Sequence, residues 1–396
     1  MALFLVGLMT FFMMLFDGVL GFAVPILMTN AGIGTATLGA IFGVSSLIGA
    51  LFDYFLSSFV RSVSFRRMYL GMFIVGSVYC LTLYQSSGIW MFIVAMGLWG
   101  MYFDLLNFAQ YDFVSRALPQ DHHTTGFSVI DFAKSLGYVV APIVAGILIE
   151  EHVPGIVFVL AGVFLSIGFL VYLVLNSHVP QSTLSAETHH RKIPAIKELV
   201  LWVKTARKLH IPLTFILILY VTDSFFWVIG PLFSEDLGAL HPFGGLILSA
   251  YSLPPLLFEF IVPRITTRFG KKRTAFVAFL CSSVFLMLFA VVTDVVLILV
   301  LILLLSTCLT FAYPAIRAAV ADYISENPHL SHEIESVADF ACNIGYAVGP
   351  LLAGIMAQFF GNQISFAMWG ILGACIILLL LPHSREDIRI GKIDSV

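Results

Sequence analysis

The fold is decided by SVIDFAKSLGYVVAPIVAGILIE at residues 128–150 and by its match, SVADFACNIGYAVGPLLAGIMAQ, at residues 336–358. The two stretches share 12 of 23 residues at a constant offset of 208. Each is long and apolar enough to cross a bilayer, which takes about 20 mostly apolar residues. A second set of matches lies near the start of each half, at an offset of 206: Asp17 with Asp223, Pro25 with Pro231 and Gly32 with Gly238. The sequence therefore predicts two membrane-embedded repeats in the same orientation.

The composition supports a membrane protein. Of the 396 residues, 60% are hydrophobic and only 11% are charged, with a mean hydropathy of +1.00, whereas soluble domains carry about 25% charged residues. The eleven histidines fall in polar connections and the five cysteines in apolar runs, so no metal, haem or disulfide site is predicted. A phosphate-binding G-x-x-x-x-G-K-[ST] motif is also lacking, and neither a cofactor nor an enzyme activity is expected.

Hydropathy predicts an all-α protein with twelve transmembrane helices in two pseudo-symmetric six-helix bundles. The predicted spans are 3–28, 36–59, 68–86, 89–114, 126–149, 155–176, 211–233, 243–263, 274–292, 295–324, 335–358 and 363–382. The domains follow as an N-terminal bundle at 1–176, a linker at 177–210, a C-terminal bundle at 211–382 and a tail at 383–396.

The basic residues predict the orientation. With twelve spans, 18 of the 20 Lys and Arg fall on one side of the membrane, and by the positive-inside rule that side is cytoplasmic. Both termini are therefore expected to be cytoplasmic, in a plasma (inner) membrane. Within the linker, an amphipathic helix is predicted to lie along the inner leaflet, with its apolar face formed by Ile193, Ile196, Leu199, Val200 and Val203.

The basic loop after the second helix of each half resembles that of the major facilitator superfamily of secondary transporters. The family pattern G-x-x-x-D-R-x-G-R-R is similar to Pro263–Lys272, which keeps Arg268, Gly270, Lys271 and Lys272. In the first half only the basic pair Arg66 and Arg67 remains, and both copies lack the Asp. The resemblance implies alternating access around a central cavity lined by helices 1, 4, 7 and 10.

Helix 5 resembles the family pattern of antiporters, in which small residues and a proline let neighbouring backbones approach closely. The pattern comprises Ser128, Gly137, Ala141, Pro142, Ala145 and Gly146. Helix 11 repeats it with Gly345, Gly349, Pro350, Ala353 and Gly354. In the family the pattern is associated with exporters, and its repetition leaves a purely packing role open.

Three deep carboxyl groups are the main candidates for function. An ionised residue at the bilayer centre costs about 2.5 to 3.5 kcal/mol, yet Asp17, Asp104 and Asp223 lie far from both ends of their spans and Arg317 lies in helix 10. Helical spacing places further polar or aromatic residues beside them. The predicted substrate and proton site comprises Asp17, Asp104, Asn107, Tyr111, Lys134, Asp223, Trp227, Tyr313 and Arg317.

Other charges are predicted to act structurally. Asp112 and Asp322, near the cytoplasmic ends of helices 4 and 10, are expected to form gate ion pairs with the basic loops. Asp131 and Lys134 are three residues apart and are expected to neutralise each other, unless they contact substrate. The predicted gating and structural set is Arg66, Arg67, Asp112, Gly137, Pro142, Arg268, Lys272, Asp322, Asp339 (a partner for Arg317), Gly345 and Pro350.

Three classes of transport remain open. The leading hypothesis is a monomeric, proton-coupled antiporter that exports small amphipathic or cationic organic molecules through apolar and cation–π contacts. The alternatives are a proton-coupled uptake symporter for a sugar, amino acid or organic anion, with Arg317 and Lys134 as anion ligands, and a lipid flippase. The expected partners are a small-molecule substrate and the lipid bilayer, and no nucleic acid.

Overall fold

The computed structural model describes residues 1–60, 65–117, 123–149, 152–178, 195–327 and 330–381. Within these ranges the α-helices are α1 (Ala2–Asn30), α2 (Thr35–Val60), α3 (Phe65–Tyr84), α4 (Ile89–Ala117), α5 (His123–Leu148), α6 (Gly155–His178), α7 (Ala195–Lys208), α8 (His210–Val228), α9 (Gly230–Gly238), α10 (Ile247–Phe258), α11 (Val262–Phe269), α12 (Lys271–Leu288), α13 (Val295–Glu326), α14 (Ser331–Phe360) and α15 (Asn362–Leu380). The predicted all-α class is confirmed.

The helices account for the predicted twelve spans. Ten described segments are long and apolar enough to cross a membrane, and α2 adds the shorter apolar stretch Thr35–Ile48. The helix α12 is not one of these segments, because its 18 residues begin with three charged ones, Lys271, Lys272 and Arg273. Along the chain, α1 to α6 precede α7 and α8 to α15 follow it.

Prolines divide two of the predicted spans. The seventh span consists of α8 and α9, because Pro231 occupies the first turn of α9 and has no N–H to continue the α8 ladder. The eighth consists of α10, which contains Pro254 and Pro255, a 3₁₀ turn at Glu259–Ile261, and α11. By contrast, Pro25 lies inside the continuous helix α1. The equivalent helices of the two halves therefore differ.

The small-residue pattern packs helices together within each half. A Cβ on Gly137 of α5 would clash with Met14 of α1, and a Cβ on Gly345 of α14 would lie 2.7 Å from Cβ of Tyr220 on α8. Such distances are shorter than any normal contact. The equivalent glycines therefore allow close helix packing in both halves, as expected of the packing role.

The two halves meet tightly at one face of the membrane, which we call the closed face. There α2 lies directly on α14: the carbonyl of Pro350 faces Gly39, and a Cβ on Gly43 would lie 2.5 Å from the carbonyl oxygen of Ala347. A looser contact joins α5 to the turn before α10, where a Cβ on Gly146 would lie 3.5 Å from the carbonyl oxygen of Gly245.

The opposite face carries Arg66, Arg268 and Lys271, and we call it the basic face. Gly270 connects α11 to α12 there with φ of 84°, a left-handed conformation that costs a residue with a Cβ about 1 to 2 kcal/mol. The glycine of the family loop pattern is thus required by the turn between these helices.

The helix α7 is the described part of the predicted linker helix. Its Trp202 contacts α14 at the basic face, donating from Nε1 to Oγ of Ser336 at 3.3 Å. Val200 and Val203 of the predicted apolar face are exposed. The rest of the linker, residues 179–194, and the tail, residues 383–396, lie outside the described residues.

Candidate functional site

Asp17 of α1 is enclosed by two aromatic donors. Trp99 of α4 donates from Nε1 to Oδ1 of Asp17 at 2.6 Å, and Tyr138 of α5 donates from its hydroxyl to Oδ2 at 2.7 Å. The carboxyl group is buried, with 4% of Asp17 exposed. Neither donor carries a formal charge, so the cage provides hydrogen bonds without neutralising a carboxylate. We call Asp17, Trp99 and Tyr138 the Asp17 cage.

Asp223 of α8 has a matching environment. Tyr251 of α10 donates to Oδ1 of Asp223 and Tyr346 of α14 donates to Oδ2, both at 2.8 Å. Trp227, one turn further along α8, lies close enough to the carboxyl group to act on it. Arg317 of α13 lies within electrostatic reach of Asp223. We call Asp223, Tyr251 and Tyr346 the Asp223 cage.

The two cages are related by the internal repeat. Tyr138 and Tyr346 occupy equivalent positions at the offset of 208, as Asp17 and Asp223 do at 206. The second donor differs, because it comes from α4 in one half and from α10 in the other. Duplication has therefore retained one carboxyl–tyrosine pair in each half.

An aromatic contact joins the cages across the interface between the halves. The rings of Tyr138 and Trp227 lie 4.9 Å apart, centroid to centroid, within the range in which aromatic pairs attract. Tyr138 donates to Asp17, and Trp227 lies beside Asp223. The two deep carboxyl groups are thus connected by a continuous chain of side chains.

Arg317 does not have the partner predicted for it. Its guanidinium donates to the hydroxyl of Tyr220 on α8, whose ring packs edge-on against Tyr313 at 5.7 Å. Tyr313 in turn donates to the carbonyl oxygen of Leu219 at 2.8 Å. Asp339 is exposed and interacts with Arg317 only through space. The hydrogen-bonding side chain on Arg317 is therefore a tyrosine rather than the expected carboxylate.

Lys134 is likewise held by a neutral group. Its Nζ donates to Oδ1 of Asn107 on α4 at 3.1 Å, which joins two residues of the predicted site. Asp131 is exposed and acts on Lys134 electrostatically. The hydrogen bond of Lys134 thus goes to Asn107 instead of the expected neighbour Asp131.

Exposed polar side chains of both halves lie in the part of the spans nearest the basic face, where the resemblance to the major facilitator superfamily implies a central cavity. Tyr111 of α4 is 63% exposed, and Arg317 is also exposed although it lies inside a span. Asp104 is half-buried on α4. Charged residues from both halves interact with Arg317 or Tyr111: Asp131, Lys134, Glu259, Glu335 and Asp339. Four of these five are acids, so with Arg317 the group has four acids against two cations.

The predicted gate pairs at the basic face differ between the halves. Oδ2 of Asp112 accepts from the backbone N–H of Phe65 at 2.8 Å, capping the start of α3. Asp322 forms an ion pair with Lys271 of the second basic loop, at 2.5 Å. Among the described basic residues, Arg66 lies over the ring of Phe65 at 5.8 Å, Arg268 over Phe269 at 5.4 Å and Lys272 over Tyr323 at 4.9 Å, and Arg67 is exposed.

The two helix prolines of the predicted structural set are both buried, Pro142 in α5 and Pro350 in α14.

Four residues of the cages were not predicted from the sequence: Trp99, Tyr138, Tyr251 and Tyr346. A signal for two of them was present, since the dipeptide Gly-Tyr is identical in both copies of the repeat. Trp99 and Tyr251 have no such mark, because they reach their carboxyl groups from other helices.

Comparison with known proteins identifies the family. The sequence profile of the Major Facilitator Superfamily matches residues 6–222 and again residues 212–392. The chain belongs to this superfamily, and the predicted membership is confirmed. Each half matching separately agrees with the internal duplication, and the family makes the protein a multi-pass membrane transporter.

Solved structures with the same fold are transporters. The chain is similar to the nucleoside transporter NupG, with 13% identity, a TM-score of 0.77 and coverage of 96% of this chain and 98% of that one. The peptide transporter POT in complex with sulfate has 13% identity, a TM-score of 0.76 and coverage of 96% and 94%. A bacterial homologue of the human lysosomal transporter Spinster, inward-facing and unoccupied, has 12% identity, a TM-score of 0.69 and coverage of 96% and 94%. At these identities the likeness shows the fold. A search of curated protein sequences finds no match.

Proposed function

We propose that this transporter exports small amphipathic or cationic organic molecules in exchange for protons. The observation that carries the proposal is the Asp17 cage, a buried carboxyl group with two hydrogen-bond donors and no formal charge on either donor. A carboxyl group in such surroundings is expected to exist in both protonation states during a transport cycle. The basic face is then the cytoplasmic face, as the positive-inside rule indicates.

Proton binding at Asp17 would act on the closed face through Tyr138. When Asp17 is ionised, both of its oxygens accept, and the hydroxyl of Tyr138 is held as a donor. A proton on Oδ2 makes that oxygen a donor, so the hydroxyl of Tyr138 must reorient and the ring contact with Trp227 is no longer held in the same way. Protonation and opening of the closed face are thereby coupled.

The cavity supports a cationic or amphipathic solute. Four acids against two cations give it an excess of negative charge, and the exposed ring of Tyr111 offers an aromatic face. Attraction of a cation to carboxylates and rings strengthens where water is partly excluded. A cavity that opens at the basic face would take up such a solute from the cytoplasm.

A second candidate is uptake of a solute that carries an anionic group. Lys134 of the first half and Arg317 of the second lie within electrostatic reach of each other across the cavity. Each donates a hydrogen bond to a neutral partner, and two neighbouring cations repel each other unless an anion lies between them. A carboxylate bound between these residues would link the two halves.

Transport in proteoliposomes separates the two candidates. The purified protein is reconstituted, a pH gradient is imposed, and fluxes of ethidium, of radiolabelled amino acids and of radiolabelled lactate are measured. Ethidium moving against the proton flux supports the exporter, whereas amino acid or lactate accumulating together with protons supports uptake. If none of the measured solute fluxes depended on the pH gradient, the proposal that transport is coupled to protons would be contradicted.

A further inference from the structure

The helix α7 presents two different surfaces. Trp202, Thr205 and Leu209 point towards the bundle: Thr205 is completely buried, Leu209 is 2% exposed, and the ring of Trp202 packs edge-on against Phe340 of α14 at 5.2 Å. Of the predicted apolar face, Val200 and Val203 therefore lie on the side of α7 that points away from the bundle.

The other surface of α7 combines apolar and basic side chains. Val200 is 43% exposed and Val203 37% exposed. Lys204 and Arg207 are exposed on the same side, at the spacing of three and four residues that places side chains above one another on a helix. Exposed valines in water have no favourable contact, whereas at a lipid surface they lie against acyl chains.

The position of α7 brings this surface to the membrane. Its last residue, Lys208, lies two residues before α8, which crosses the bilayer starting from His210. A helix whose end is tied to the start of a span and whose side is fixed to α14 lies at headgroup level on the basic face. Anionic headgroups attract basic residues near the surface.

We propose that Val200, Val203, Lys204 and Arg207 form a binding surface for the anionic headgroups of the adjacent leaflet. Phosphate groups would contact the two basic side chains and acyl chains the two valines. Because Trp202 bonds to Ser336 and packs on Phe340, lipid bound at α7 also stabilises the part of α14 that carries the cavity residues Glu335 and Asp339. The proposal does not depend on which solute is transported.

Hydrogen–deuterium exchange in nanodiscs tests the proposal without a substrate. The full-length protein is placed in phosphatidylcholine alone and in phosphatidylcholine with phosphatidylglycerol, and exchange is followed in peptides covering α7 and the start of α14. We expect exchange in α7 to slow by at least about ten-fold with phosphatidylglycerol. High salt should remove this protection, because the Debye length falls to about 3 Å at 1 M.

Two double variants provide a matched comparison. K204Q/R207Q removes two charges from α7, and R264Q/R273Q removes two exposed charges from the same face in α11 and α12. We expect the first variant to lose the lipid-dependent protection and the second to keep it. Equal exchange of α7 in both lipids for the native protein, or equal loss in both variants, would overturn the proposal.

The link to α14 is tested by Trp202→Phe, which keeps a ring against Phe340 but cannot donate to Ser336. We expect α7 to remain protected by phosphatidylglycerol in this variant while protection of the start of α14 falls. Protection of α14 equal to that of the native protein would show that Trp202 does not transmit the effect of the lipid.

Discussion

The Asp17 cage and the Asp223 cage are copies of one arrangement that have diverged in the second donor. Trp99 can only donate, whereas Tyr251 can donate or accept. Asp17 is 4% exposed, and among the described residues no cation acts on it, whereas Arg317 lies within electrostatic reach of Asp223. From this difference we expect the first half to hold the proton site and the second half to hold a more adaptable site near the solute.

The largest expected effect comes from neutralising the two aspartates separately. In Asp17→Asn the amide oxygen can still accept from Trp99, and its NH₂ can donate to the hydroxyl of Tyr138, so the cage survives without a titratable group. We expect pH-driven solute flux in proteoliposomes to fall to the level of protein-free vesicles. In Asp223→Asn we expect weaker solute binding with part of the pH dependence retained.

The control for these variants is Asp294→Asn at the closed face. Asp294 caps α13 by accepting from the N–H of Leu297 at 2.8 Å, and asparagine caps a helix equally well. The pH-driven solute flux of Asp294→Asn should equal that of the native protein. Equal loss of pH-driven flux in Asp17→Asn and Asp223→Asn would show that the cages have not diverged in function.

A second large effect is expected from Gly39→Ala. The added methyl group would collide with the carbonyl of Pro350 and hold α2 away from α14, which opens the closed face. Gly21→Ala is the matched control, because a Cβ there meets no atom within 4 Å. The distance between spin labels at positions 37 and 359 should lengthen in Gly39→Ala and stay unchanged in Gly21→Ala. An unchanged distance in both variants would show that the contact of α2 with α14 does not close this face.

An intermediate effect is expected from Tyr138→Phe. The ring contact with Trp227 remains, but Asp17 loses a hydrogen bond, and hydrogen bonds to charged groups contribute about 1.5 to 3 kcal/mol. We expect pH-driven flux to fall by roughly ten-fold, since 1.36 kcal/mol corresponds to a factor of ten. Tyr346→Phe should lower it less, because Asp223 keeps its hydrogen bond from Tyr251 and lies within electrostatic reach of Arg317. A greater loss in Tyr346→Phe would reverse the assignment of the proton site.

The smallest effect is expected at the basic face, where Lys271→Gln removes the ion pair with Asp322. Both side chains of the pair are partly exposed, 36% and 53%, and exposed pairs contribute at most about 1 kcal/mol. We expect thermal unfolding of the purified protein to shift by only a few degrees, with transport retained. A loss of transport without a loss of stability would instead show that the ion pair between Lys271 and Asp322 acts as a gate.

Much of the fold is predictable from the sequence because hydropathy and repetition are local signals. The matches at 128–150 and 336–358 are enough to predict duplicated spans. The division of the seventh span is harder to predict from the sequence, because Pro25 and Pro231 are equivalent yet only Pro231 interrupts its helix. Proline permits a break, and the packing of the surrounding helices decides whether one forms.

The sequence indicates the charged residues of the candidate site but not the side chains that contact them. Asp17, Asp223 and Arg317 are conspicuous because charge inside a membrane is costly. Which side chain meets each of them depends on how helices rotate and pack, as Trp99 shows by reaching Asp17 from α4. The expected pairing of Arg317 with Asp339 failed because the hydroxyl of Tyr220 takes that place.

Infrared spectroscopy of the reconstituted protein tests the central claim, which is that Asp17 takes up and releases a proton. The difference spectrum between acid and alkaline pH is recorded for the native protein, Asp17→Asn and Asp294→Asn. We predict a carboxylic acid stretching band on acidification that persists in Asp294→Asn and disappears in Asp17→Asn. A band that survives in Asp17→Asn with undiminished intensity would contradict the account, because the proton would then bind elsewhere.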